Sequence, residues 1–133
     1  MPEVEAFETE LGELRRVRRF IREGCAGVGE EAIERLLAVA DEAFANIVSH
    51  GETEEAVFIS LMIEGGRVVL ELWDQGRSFD PMEVPVPDLA EGREQGMGVV
   101  ILRELADEIA YFPKEGAKGW NRLQLSVVVG NGN

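Results

Sequence analysis

A strand that ends in a carboxylate constrains this chain more than any other segment. Val68, Leu70 and Leu72 occupy alternate positions, as in a strand with one buried face, and Asp74 follows them just before Gly76. An unpaired charge at a buried strand end costs several kcal/mol, so such a carboxylate usually has a partner. The fold or a ligand must supply that partner, and two further motifs described below, on a helix upstream and at a helix start downstream, favour a ligand.

Helical and strand patterns follow one another in an order that defines the fold class. Segments with helical spacing are residues 10–23, 30–50 and about 98 to 106 or 107. Segments with strand character are residues 4–7 (weakly), 56–63, 68–74, 108–112 and 121–129. This order predicts an α+β fold, a two-layer α/β sandwich with the helices packed on one face of a mixed, largely antiparallel sheet.

Glycines predict how several of these elements end. The pair Gly65 and Gly66 between two strand segments indicates a hairpin, and Gly51 stands where a left-handed cap would end the second helix. Residues 81–95 contain three prolines and several acids, which favours a long loop of the kind that often serves as a functional lid.

Length and composition indicate a single globular domain over residues 1–133, with a flexible tail at about 130–133. The sequence has no long apolar run and its acidic start does not resemble a signal peptide. Its single cysteine, Cys25, cannot form an internal disulfide, which is typical of a reducing compartment. We therefore expect a cytoplasmic protein.

The charge balance argues against two classes of partner. The formal net charge is −13, which disfavours nucleic acid and anionic membranes, because both are bound through Lys and Arg. Basic residues are nevertheless clustered in the first helix, at Arg15, Arg16, Arg18, Arg19 and Arg22. The cluster is either a docking face for an acidic partner or a set of solvated and internally paired side chains.

A carboxylate and a carboxamide share one face of the second helix. Glu42 and Asn46 are four residues apart, so their Cβ atoms lie roughly 6 Å from each other. Their oxygens suit Mg²⁺, which takes few protein ligands together with substrate phosphates. The alternative is a boundary position where the amide bonds to backbone. His50, near the end of the same helix, is favourable there as a cation and is given no catalytic role.

A glycine pair precedes the third helix. Gly96, Met97 and Gly98 lead into an apolar helical run, and the backbone N–H groups of a helix start bind phosphate oxygens well. A glycine pair is more often a simple turn, but its order after the carboxylate sites favours a nucleotide site.

Three segments together resemble the gyrase, histidine-kinase and MutL type ATPase superfamily, in the version found in bacterial anti-sigma-factor serine kinases. Residues 41–51 (DEAFANIVSHG) resemble the N box of that family. Residues 74–81 (DQGRSFDP) and 96–108 (GMGVVILRELADE) resemble its first and second glycine boxes, and residues 120–125 (WNRLQL) resemble its closing strand. The likeness covers nearly the whole chain, with Ser78 in place of a glycine and Val99 in place of a leucine.

The resemblance implies a role for each motif residue and a pair of cofactors, ATP and Mg²⁺. Asp74 would accept a hydrogen bond from the adenine amino group, and Gly76 would leave room for the base. Asn46 would hold Mg²⁺, and Glu42 would be the general base. The phosphates would be cradled by Gly96, Met97 and Gly98, with Arg93 as a lid contact.

The same resemblance implies a biological activity, that of an ATP-dependent protein serine/threonine kinase that is also an anti-sigma factor. It would bind a sigma factor, phosphorylate a small antagonist protein, and form a homodimer. One alternative is a nucleotide-sensing binding module that has lost kinase turnover, since a fold hosts many functions. A purely structural interaction domain would require all three motifs to be coincidental.

Overall fold

The computed structural model describes residues 2–83, 97–116 and 118–129. The strands are β1 (Glu3–Phe7), β2 (Val57–Glu64), β3 (Arg67–Asp74), β4 (Glu108–Phe112) and β5 (Asn121–Val128). The helices are α1 (Leu14–Gly24), α2 (Glu30–His50) and α3 (Met97–Leu105), and a short 3₁₀ turn (Leu11–Glu13) precedes α1. The predicted order of elements is confirmed, with bounds shifted by a few residues.

The five strands form one sheet in the order β1-β2-β3-β5-β4. Each of the four pairings is antiparallel, so the largely antiparallel sheet is confirmed and no parallel pair occurs among the described strands. The central strand β3 lies between β2 and β5, and its last residue, Asp74, is paired with Asn121, the first residue of β5. The end of β3 is thereby placed beside the start of β5.

The hairpin between β2 and β3 has the geometry that its glycines predict. Glu64 is paired with Arg67, and the two residues between them, Gly65 and Gly66, have φ angles of 58° and 78°. Positive φ at both central positions matches the twist of antiparallel strands and favours glycine.

Alternate residues of the strands face the helices and build one core. Those on the inner face of β3 and β5 are Val68, Leu70, Leu72, Leu123, Leu125 and Val127, all buried. From β1, Phe7 meets the rings of Phe20 on α1 and Phe44 on α2 edge to face, with centroids 5.8 and 6.5 Å apart. The buried free thiol of Cys25 also belongs to this core. The predicted two-layer arrangement, with helices on one face of the sheet, is confirmed.

The predicted cap at the end of α2 is wrong in one respect. Gly51 has φ −73° and ψ −25°, which is ordinary right-handed geometry, and the left-handed residue is Glu52, with φ 53°. A positive φ angle therefore does not explain this glycine, and a Cβ atom at Gly51 would instead lie 2.5 Å from the carbonyl oxygen of Ile47 on α2.

Within the part of the chain that the structure describes, no helix combines the length and the apolar character needed to cross a bilayer.

Candidate functional site

Asp74 is buried at the end of β3, with only 6% of its surface exposed. Its Oδ1 accepts two hydrogen bonds, from the backbone N–H of Gly76 at 2.9 Å and from Nδ2 of Asn121 at 3.1 Å. Its Oδ2 accepts none from the described residues. The fold therefore satisfies one oxygen of the carboxylate and leaves the other for a donor that the described chain does not provide.

The charge state of Asp74 reflects two opposed influences. Burial raises the pKa of its carboxyl, whereas the hydrogen bonds from Asn121 and Gly76 and the nearby Lys114 cation lower it, and burial is the larger effect. The ammonium group of Lys114 donates to the carbonyl oxygen of Gln75 at 3.0 Å, so a positive charge stands close to the buried carboxyl.

Two glycines bring the loop after β3 against the end of α2. A Cβ atom added to Gly76 would lie 2.5 Å from the carbonyl oxygen of Gly51 and 2.9 Å from its Cα. The same Gly51 oxygen accepts the backbone N–H of Arg77 at 2.6 Å. The small size of Gly76 is thus required by a backbone contact inside the protein. Its predicted role, leaving room for a base, stays a prediction.

A cleft lies between α2 and the loop that follows β3, with a volume of about 370 Å³ including the part open to solvent. Asn46 and Asp74 both line it, which brings together the polar residues of two motifs that are 28 positions apart. The remaining lining residues are Ala43, Ile47, Gly51, Arg77, Phe79, Pro81, Tyr111 and Leu123. The cleft has a buried carboxylate, a half-buried carboxamide and otherwise mainly apolar walls, a combination typical of small-molecule sites.

Phe79 is held at the rim of this cleft by contacts on two sides. Its backbone N–H donates to the hydroxyl oxygen of Tyr111 at 2.9 Å, and its ring stacks on His50 with centroids 4.7 Å apart and planes inclined by 12°. His50 thus has a packing role next to the cleft. Burial raises the pKa of the Tyr111 hydroxyl, so it remains protonated at neutral pH.

Glu42 lies one helical turn before Asn46 on α2 and is half-buried. It does not line the cleft that contains Asn46 and Asp74. Its predicted role as a general base therefore stays a prediction.

The second glycine box is described only in part. Arg93 and Gly96 lie outside the described residues, whereas Met97 and Gly98 form the first turn of α3. Further along α3, Arg103 donates to the carbonyl oxygens of Pro81 at 3.0 Å and Met82 at 2.7 Å. The helix that begins with this box is therefore bonded directly to the last residue of the first glycine box and to the residue after it.

Asn121 is a site residue that the sequence reasoning did not single out. It is fully buried and bonded to the Asp74 carboxylate, yet the motif comparison treated it only as part of a closing strand. A signal was present, because Asn121 shares its strand face with Leu123 and Leu125. A polar residue on the core face of a strand requires a partner.

The basic cluster of α1 is divided by the fold into paired and unpaired residues. Arg16 bonds Glu5 and Glu13, Arg18 bonds Asp41, and Arg22 bonds Glu30. Arg15 and Arg19 are exposed and form no ion pair within the described residues. Three of the five arginines are thus paired internally, and the interpretation of the remaining two as a docking face stays a prediction.

Comparison with known proteins identifies the class to which this fold and cleft belong. Residues 7–126 match the family of histidine kinase-like ATPase domains, and the chain belongs to that family. The family resemblance predicted from the three motifs is confirmed.

Among individual proteins, the chain is 29% identical over 91 residues to the anti-sigma F factor of Anoxybacillus flavithermus. The alignment covers 63% of this chain and 62% of that relative, so the chain matches less than two thirds of the relative's length.

Two solved structures share the fold. One contains the RsbU and RsbW domains of a Mycobacterium tuberculosis protein, with a TM-score of 0.70 and 20% identity over 97% of this chain and 32% of that one. The other is the histidine kinase domain of a blue-light activated kinase from Erythrobacter litoralis, with a TM-score of 0.54 and 16% identity over 90% of this chain and 60% of that one.

The described residues fit the ligands that the family implies. The Asp74 oxygen without an internal donor suits the exocyclic amine of adenine, and the half-buried carboxamide of Asn46 suits Mg²⁺. No group of three or more His, Cys, Asp or Glu side chains within the described ranges could hold a metal ion alone. Asn46 would hold Mg²⁺ together with the phosphates of its nucleotide, since Mg²⁺ commonly takes few protein ligands in phosphoryl-transfer sites.

Proposed function

We propose that this protein is an ATP-binding serine/threonine kinase that acts as an anti-sigma factor and phosphorylates a small antagonist protein. The observation that supports this most directly is the shared cleft of Asn46 and Asp74, in a chain of the histidine kinase-like ATPase family. The anti-sigma part rests on the similarity to an anti-sigma F factor.

Each end of the cleft would recognise a different part of ATP. Asp74 would accept a hydrogen bond from the adenine amine through Oδ2, while Asn46 would hold Mg²⁺ on the phosphates. Bound Mg²⁺ would neutralise charge on the transferred phosphoryl group. Gly98, in the first turn of α3, would offer its backbone N–H to a phosphate oxygen, as helix N-termini commonly do.

Glu42 would take the proton from the attacking hydroxyl of the antagonist. It lies on the same helix as Asn46, one turn away, and both residues therefore move with α2. Phosphoryl transfer depends mainly on positioning and charge neutralisation, so a carboxylate that orients the nucleophile completes the set of required groups.

Calorimetric titration with ATP and ADP, with and without Mg²⁺, tests the nucleotide site. We expect binding that is reduced at least about tenfold in Asp74→Asn, because the amide that replaces Oδ2 cannot accept from the adenine amine. In Asn46→Ala, binding should lose its Mg²⁺ dependence. Absence of binding by the parent protein under all these conditions would overturn the proposal.

A second function, a nucleotide-sensing binding module without kinase turnover, is favoured by one observation. Glu42 lies outside the lining of the cleft, whereas Asn46 and Asp74 lie within it. Transfer of phosphate from labelled ATP to a co-encoded antagonist separates the two functions. The kinase requires transfer by the parent protein and its loss in Glu42→Ala, with nucleotide affinity retained. A parent protein that binds ATP without any transfer would support the binding module.

A further inference from the structure

A buried carboxamide, that of Asn121, joins three segments around Asp74. Its Nδ2 donates to Oδ1 of Asp74 at 3.1 Å and to the carbonyl oxygen of Gly76 at 2.9 Å. Its Oδ1 accepts from the hydroxyl of Ser78 at 2.7 Å and from the backbone N–H of Lys114 at 2.9 Å. Asn121 is completely buried and therefore has no access to water as a substitute partner.

The orientation of this amide is fixed by two partners that cannot change their role. The Lys114 backbone N–H can only donate and the Gly76 carbonyl can only accept. The NH₂ group therefore faces Gly76 and Asp74, and the carboxamide oxygen faces Lys114. Asp74 consequently meets a donor at Oδ1, and that oxygen must act as an acceptor.

We infer that Asn121 is a positioning residue that makes the site select a purine with an amino group at C6. This inference rests on the proposed nucleotide site, and in it Asn121 acts through Asp74. With Oδ1 occupied by Asn121 and the Gly76 N–H, only Oδ2 can meet the base. An ionised Oδ2 accepts from a 6-amino group but repels the oxygen of a 6-oxo purine.

The same contacts support the ionised form on which this selection depends. Burial raises the pKa of the Asp74 carboxyl, and the Asn121 hydrogen bond is the largest influence that opposes it. Without this donor, Asp74 would more readily bind a proton and present a hydroxyl to the base. A protonated Asp74 could donate to a 6-oxo group, so discrimination between the two kinds of purine would fall.

The test compares the binding of ADP, which has a 6-amino group, with that of inosine diphosphate (IDP), which has a 6-oxo group. Both nucleotides are titrated calorimetrically into the full chain of the parent protein and into its Asn121→Asp variant. In the parent protein, ADP should bind at least about tenfold more tightly than IDP. In Asn121→Asp, two carboxyl groups within hydrogen-bond distance cannot both ionise readily. At about pH 8 we expect the ADP affinity of this variant to be about tenfold lower than that of the parent protein, or lower still. The ratio of its ADP affinity to its IDP affinity should also be smaller.

The pH dependence separates positioning from a general loss of structure. At about pH 6 a shared proton lets the substituted side chain donate to Asp74 again, so ADP affinity and selectivity should partly recover. Gln124→Glu is the matched control, since it makes the same amide-to-acid change on β5 at a half-buried position on the opposite face of the sheet. It should leave the affinity, the selectivity and their pH dependence as in the parent protein.

Ser78→Ala provides a second variant that does not introduce a buried charge. It removes one of the two donors to the Asn121 oxygen at an exposed residue, and should lower the ADP preference by about two- to threefold. If Asn121→Asp does not fold, the ADP preference of Ser78→Ala tests whether Asn121 positions Asp74.

Failure of the proposed function and failure of the inference about Asn121 give different results in these titrations. A parent protein that binds neither nucleotide overturns the proposed function. A parent protein that prefers ADP, with that preference unchanged in Asn121→Asp and Ser78→Ala, overturns only the inference about Asn121.

Discussion

At the scale of single residues, Asp74 combines a proposed binding role with a buried position that disfavours its charge. Its carboxyl is buried, and burial outweighs the hydrogen bonds in setting its pKa above the ordinary value. A carboxyl with a raised pKa in the folded state favours folding most when it is protonated. The ionised form, which the proposed nucleotide site requires, therefore lowers the stability of the protein at neutral pH.

Asp74→Asn should accordingly stabilise the unliganded protein while weakening nucleotide binding. The replacement keeps an oxygen for Gly76 and Asn121 but removes the buried charge, so at pH 7 we expect an increase on the order of 1 kcal/mol or less. Urea unfolding, monitored by tryptophan fluorescence, measures the difference in the free energy of unfolding between the two proteins.

The pH dependence of this difference has a definite sign. The parent protein loses stability relative to Asp74→Asn as the pH rises from the ordinary carboxyl pKa, 3.8, through the raised pKa of the folded state. The advantage of the variant should thus be largest at neutral pH and vanish below about pH 4. A variant that is less stable than the parent at pH 7 would show that the carboxylate stabilises the fold.

Residues of the site could be predicted only where their own neighbourhood in the sequence identified them. Asp74 follows an alternating strand and precedes a glycine, and Asn46 lies on a helix with Glu42, so local patterns together with the order of the motifs made both of them candidates. Asn121 lies 47 positions from Asp74, and its role depends on the pairing of β3 with β5. No local pattern contains that pairing.

At the scale of elements, Arg35 ties α2 to the end of α3. Its Nε and Nη2 donate to the carbonyl oxygen of Leu105 at 3.1 and 2.8 Å, and Nη2 also donates to Asp107 at 3.2 Å. Asp107 in turn accepts the backbone N–H of Val128 at 2.6 Å. One side chain on α2 thus satisfies a carbonyl at the end of α3 and supports a carboxylate that bonds the last residue of β5.

Arg35→Met should lower the free energy of unfolding by about 1–2 kcal/mol, since it removes charge-assisted hydrogen bonds from a half-buried position. Arg22→Met is the matched control, because its partner Glu30 and Arg22 itself are at least half exposed and such pairs contribute little, less than about 1 kcal/mol. Urea unfolding of both variants gives the comparison, and equal losses would contradict the role assigned to Arg35.

Element boundaries were less predictable than element types. The long apolar stripe of α2 and the glycine hairpin between β2 and β3 are encoded locally, and both were predicted correctly. The start of α1 was placed too early because a 3₁₀ turn has similar spacing over so few residues. The left-handed residue after α2 is Glu52 and not Gly51, where a Cβ atom would instead overlap the carbonyl oxygen of Ile47, and the local sequence pattern does not distinguish these two uses of a glycine.

At the scale of the whole molecule, the fold leaves a small basic surface on a strongly acidic protein. Arg15 and Arg19 are the arginines of α1 without an internal ion pair among the described residues, and four positions on a helix place them on one face. Opposite charge across an interface mainly affects specificity and the rate of association. This surface is our proposed docking site for an acidic segment of the sigma factor or the antagonist.

Charge reversal in Arg15→Glu/Arg19→Glu should slow association with the partner by about tenfold or more at low salt, and should leave ATP affinity unchanged. Surface plasmon resonance at two salt concentrations measures the rates. Arg16 is unsuitable for this test, because its pairs with Glu5 and Glu13 belong to the fold.

A single reversal provides the control. Arg19→Glu is compared with Lys118→Glu, which makes the same change of charge at an exposed residue between β4 and β5. Equal effects of the two substitutions would mean that net charge, and not this surface, controls association.

The backbone contact between Gly51 and Gly76 fixes how closely α2 approaches the loop after β3. It holds the helix with Asn46 against the loop after Asp74 at a separation that no side chain determines, since a Cβ at Gly76 would already overlap the Gly51 carbonyl. In the proposed nucleotide site, substitutions among the side chains of the cleft can therefore change what is bound without changing this spacing.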